Sequence, residues 1–120
     1  MAFYECNIGF ILESPKLISK AIQPFVNAPR DTKVSALINI TSDMIDKKCI
    51  FLVHTSNPYG GLAPSTLILS GLGNYTVLQA VDERSFTGLY YSDNLINGGI
   101  IGISDIGGYY GASCFLFKLI

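Results

Sequence analysis

The sequence predicts an all-β fold, an antiparallel β-sandwich or jelly roll, on three observations. Val34-Ser35-Ala36-Leu37-Ile38-Asn39-Ile40-Thr41 carries apolar residues at 34, 36, 38 and 40, the period of a strand with one face in a core. Apolar and aromatic runs of strand length recur through the chain, rich in Ile, Leu, Val, Phe and Tyr. Between them stand Gly, Asn, Asp and Ser, including Gly-Gly pairs at 60–61, 98–99 and 107–108 that mark sharp turns. Eight or so short strands at this spacing suit a sandwich. Residues 1–120 read as one domain.

Each element has its own warrant. Phe3-Tyr4-Glu5-Cys6-Asn7-Ile8 opens with aromatic and apolar residues at strand spacing. Ser14 can cap a helix with Pro15 at its first position, and Leu17, Ile18, Ala21, Ile22, Phe25 and Val26 then share one face. Pro24 ends such a turn, so the spacing predicts one short helix over 15–23; the alternative is a strand over 17–23. Cys49-Ile50-Phe51-Leu52-Val53 is a continuous apolar run, as in a strand buried on both faces. Residues 66–70 and 75–81 flank Gly71-Leu72-Gly73-Asn74, which reads as a hairpin with glycine and asparagine in its loop. Strands are predicted again over 85–91 and 100–104, with a turn over 105–108. Residues 112–120 close the chain as an apolar strand, expected in the middle of a sheet or in a subunit contact.

Charge distribution separates two parts of the chain. Residues 1–48 hold six bases and five acids, whereas 49–81 contain no Asp, Glu, Lys or Arg. That neutral stretch is broken by Pro58, Gly60, Gly61, Pro64, Gly71 and Gly73, so it cannot be a membrane helix of about 20 residues, and no membrane insertion is expected. A net charge of −1 argues against nucleic acid, which demands a basic face. Strands with so little outward charge instead imply a surface covered by another chain.

Candidate chemistry is sparse. Gly71-Leu72-Gly73 lacks the third glycine and the following helix of a dinucleotide site. His54 is the only histidine and ends an apolar strand, where a hydrogen-bonded edge residue explains it better than a catalytic one. Cys6, Cys49 and Cys114 are three separated thiols in apolar settings, which suits buried core residues rather than a disulfide framework or a zinc site. No enzyme, metal or cofactor is expected. The doublets Tyr90-Tyr91 and Tyr109-Tyr110 each place one ring inward and one outward on a strand. With Tyr59, Asp93, Asn94 and Asp105 they form a candidate interface, or alternatively a platform for a host surface glycan. Phe115, Phe117 and Ile120 are the candidate subunit contact.

Met1-Ala2-Phe3-Tyr4-Glu5-Cys6-Asn7 resembles the opening of small proteins encoded among the tail and capsid genes of tailed bacteriophages. Gly107-Gly108-Tyr109-Tyr110-Gly111 and Phe115-Leu116-Phe117-Lys118 share that character. The resemblance implies a non-enzymatic virion component: a tail, fibre-associated or capsid-decoration module that contacts itself and other virion proteins. It also implies a homo-oligomer, with a trimer favoured. The opening residues show no positive region followed by an apolar run, so no signal peptide is expected and assembly would take place in the host cytoplasm.

Overall fold

The computed structural model describes residues 15–23, 33–56, 67–82, 86–107 and 111–119. The predicted strand over 3–8, Cys6 and the Gly60-Gly61 turn lie outside them. Eight strands follow in order: β1 (Lys16–Gln23), β2 (Lys33–Asn39), β3 (Cys49–Ser56), β4 (Leu67–Ile68), β5 (Tyr75–Asp82), β6 (Phe86–Ser92), β7 (Ile100–Gly107) and β8 (Gly111–Lys118). They form a five-stranded sheet, β1-β8-β3-β6-β5, and a three-stranded sheet, β2-β7-β4, both antiparallel. The two sheets pack face to face as a sandwich.

The pairing is nested. β1 pairs with β8, β2 with β7 and β3 with β6, so the second half of the chain folds back along the first. This is the wrapped double-sheet arrangement of a jelly roll. A β4–β5 pair would complete the nest, but β5 instead joins β6 at the margin of the larger sheet.

The core lies between the sheets. Phe51 and Val53 of β3, with Cys114 and Leu116 of β8, are fully buried against Ile101 and Ile103 of β7 and Ala36 and Ile38 of β2. Each large apolar side chain buried this way contributes about 1.5–3 kcal/mol. Close backbone approach holds the smaller sheet together. Gly102, at φ 135°, presses against the Ala36 carbonyl, a conformation and a space that a side chain would fill badly.

Three sequence expectations need correction. The helix over 15–23 is strand β1. A register shift between Leu17 and Ser19 adds one residue to the strand, so Ile18 and Ala21 both pack on the core while Leu17 and Ile22 stay exposed. That bulge imitates the i, i+3 spacing of a helix. The hairpin across 71–74 is a crossing between sheets: β4 pairs with β7 and β5 with β6, joined by one 3-10 turn at Ser70–Leu72. Buried Leu72 anchors the crossing, and the Ser92 hydroxyl donates to its carbonyl at 2.5 Å. Finally, β7 continues through Gly107, so residues 105–107 of the predicted turn are strand. The Asn97–Gly98 turn stands as expected, with Gly98 at φ 83°. The closing strand is indeed interior, since β8 runs between β1 and β3.

Candidate interaction surface

The outer face of the five-stranded sheet follows directly from its register. Residues paired across neighbouring strands share a face. One row therefore runs Leu17, Phe117, Ile50, Tyr91 across β1, β8, β3 and β6. The next runs Lys20, Phe115, Leu52, Leu89 and Gln79, so it is apolar on the middle strands and polar at both edges. The three-stranded sheet covers the opposite face, and no other described strand layer lies over this one.

Leu17 is exposed, and Phe117, Ile50, Tyr91, Phe115, Leu52 and Leu89 are half-buried. The Phe115 and Phe117 rings stack with centroids 6.5 Å apart. A cavity of about 240 Å³ opens between strands, lined by Pro15, Ile50, Leu78, Leu89, Phe117 and Leu119. Small-molecule sites are usually about 300–1,000 Å³ and combine apolar walls with a few placed polar groups. This one has only apolar side chains. It can receive an aliphatic or aromatic side chain but offers nothing to orient a reacting group.

At the far end of the face His54 Nδ1 lies 2.9 Å from Thr87 Oγ1. His54 is exposed and hydrogen-bonded, as its sequence position suggested, but it lies in a central strand paired on both sides rather than at a sheet edge. β3 itself departs from expectation. It alternates, with Cys49, Phe51, Val53 and Thr55 buried inward and Ile50 and Leu52 only partly covered outward.

The tyrosine platform is not assembled by the described residues. Tyr90 points inward and is buried, stacked on Phe51 at 6.2 Å and edge-on to Tyr75 at 5.7 Å. Burial first, and then Tyr75, push its hydroxyl pKa up. Tyr90 therefore presents no ring to a sugar. Tyr91 points outward beside Ile50, and its hydroxyl is also shifted up, by burial and then by Asp93. Asp93 and Asn94 are exposed in the connection after β6, where the Asn94 backbone donates to Ser92 Oγ at 3.0 Å. Asp105 falls within β7, but its side chain lies outside the described set, as do Tyr59, Tyr109, Tyr110 and Ile120.

The two described thiols belong to the core. Burial pushes Cys49 up to about 11 and Cys114 up to about 12, and the Cys114 thiol donates to the Ala36 carbonyl across the sheets. Neither is a nucleophile at neutral pH. Among the described residues, no three His, Cys, Asp or Glu side chains gather as a metal site. No described helix is long and apolar enough to cross a membrane.

Phe115 and Phe117, expected as a subunit contact, lie half-buried on this outer face. Ile50, Leu52, Leu78 and Leu89 were missed as surface, because their neighbours on the face are set by pairing across the sheet. The apolar run in β3 was the available signal. Comparisons with family models, curated proteins and solved structures return no match.

Proposed function

We propose that this chain is a non-enzymatic assembly module of a bacteriophage particle, working by contact with copies of itself and with other virion proteins. The observation that carries this reading is the apolar outer face of the five-stranded sheet. Soluble monomers rarely leave large continuous apolar patches uncovered. Its apolar part is the cluster of Leu17, Phe117, Ile50, Phe115, Leu52 and Leu89, with the cavity beside it, and this cluster supplies the centre of a contact whose rim is polar.

The phage setting rests on the N-terminal and C-terminal resemblance, and a place in the tail, among the fibres or as capsid decoration suits it equally. Jelly rolls serve both capsid and lectin domains, so the architecture is compatible with that setting without choosing it. The glycan reading loses support because Tyr90 is buried and the described aromatics form no joint platform.

Sedimentation velocity over a wide concentration range tests the assembly reading. The expected result is a boundary that shifts to larger species as concentration rises. A single monomer boundary at every concentration overturns it.

A further inference from the structure

The five-stranded sheet ends in two very different edges. β1 carries Lys16 and Lys20 and packs beside β2. Edge lysines discourage another strand from pairing there. β5 has no edge lysine. Its sequence, Tyr75-Thr76-Val77-Leu78-Gln79-Ala80-Val81-Asp82, holds no proline and one charge, at its very end. Among the described residues it pairs with β6 alone.

β5 is also the strand left out of the nested pairing, and among the described residues no strand of the smaller sheet pairs with it. Every described side chain from Tyr75 to Val81 is exposed, and Val77 reaches 53%. An open row of backbone donors and acceptors flanked by uncovered Tyr, Val and Leu is a template for a further strand.

The bulge in β5 says which strand fits. A register shift between Val77 and Gln79 falls at the middle of the strand. Tyr75, Val77 and Ala80 therefore share the inner face with position 82, whereas Thr76, Gln79 and Val81 share the outer one. An antiparallel copy keeps like faces together only when Tyr75 meets Asp82, Thr76 meets Val81, Val77 meets Ala80 and Leu78 meets Gln79. That same register aligns all eight residues of both strands. It also leaves the two Asp82 residues at opposite ends, about 23 Å apart along the strands, well beyond the screening length of about 8 Å.

We infer that two copies of this chain join edge to edge through β5, antiparallel and two-fold, making one continuous ten-stranded sheet. The inference rests on the assembly reading above and names one of its contacts. A two-fold edge makes pairs, in place of the three-fold assembly favoured from the resemblance.

Val77→Lys places a charge in the centre of the paired strands at an exposed position. Sedimentation should show its pairing weakened at least tenfold, and association equal to the wild type overturns the edge contact. Amide hydrogen exchange on the wild-type chain gives an independent reading. β5 amides should gain at least tenfold protection between dilute and concentrated samples. If association persists while β5 protection stays constant, the edge contact is wrong and assembly through the outer face stands. If the wild type never associates, both fall together.

Discussion

On the inner face of the five-stranded sheet, Phe51, Val53, Cys114 and Leu116 are fully buried. On its outer face Ile50, Leu52, Phe115 and Phe117 alternate with them along the same two strands and are only half-buried. The side chains are alike in kind, but the chain covers one face with three strands and leaves the other without a described layer. The difference locates the protein's unmet demand. β3 and β8 carry apolar residues on both faces, and the described strands cover one of them.

Substitutions at neighbouring positions sharpen this contrast most. Leu116→Ala opens a cavity between the sheets and should cost about 2–5 kcal/mol in urea unfolding. Phe117→Ala, one residue along on the outer face, should cost only about 1 kcal/mol in dilute solution. Equal losses would mean that both faces are covered alike within one chain.

The inner cover itself depends on how closely β7 approaches β2. Gly102→Ala forces a side chain into φ 135° against the Ala36 carbonyl, with an expected loss of about 1–3 kcal/mol. Unchanged stability by thermal melting would show that the smaller sheet tolerates displacement.

Inner-face burial has a pH signature. The folded thiols of Cys49 and Cys114 are raised to about 11 and about 12, whereas an unfolded thiol ionises near ~8.5. Above that value the unfolded chain loses protons that the folded chain keeps, so stability falls as pH rises. Each thiol's contribution is intact below about pH 8 and should lose on the order of 1 kcal/mol by pH 10. Cys114→Ala should flatten that decline in denaturation curves measured at pH 7 to 10. Both described thiols should also label slowly in the native state at pH 8, and rapid labelling would place them at the surface.

The smallest effect belongs to the polar end of the outer face. His54→Gln removes an exposed hydrogen-bonding ring beside Thr87 and should change stability by less than about 0.5 kcal/mol. A loss above about 1 kcal/mol would tie this end of the face to the fold's integrity.

Much of the architecture was legible because period-two alternation and long apolar runs report local geometry. Period two over 34–40 marks the buried Ala36 and Ile38 of β2 and Ile40 just beyond it, and the interior position of β8 followed from its apolarity. β1 was misread because a bulge reproduced helical spacing. The crossing at 71–74 was misread because a glycine-rich loop does not reveal which sheet its next strand will join. The candidate surface was half legible. Phe115 and Phe117 stood out on one strand, whereas Ile50, Leu52 and Leu89 become their neighbours only through pairing across the sheet. The apolar run in β3 predicts burial on both sides, whereas Ile50 and Leu52 are only half-covered within the described residues.

Because the sequence contains no tryptophan, one introduced at position 117 is an unambiguous reporter of the outer face. Phe117→Trp places it at the cavity lined by Ile50, Leu89 and Leu119. With rising protein concentration its emission should move to shorter wavelength and its quenching by acrylamide should fall, as a partner surface excludes water from the sheet. Emission and quenching that stay constant from the most dilute sample to the most concentrated would contradict the claim that this face is an assembly contact.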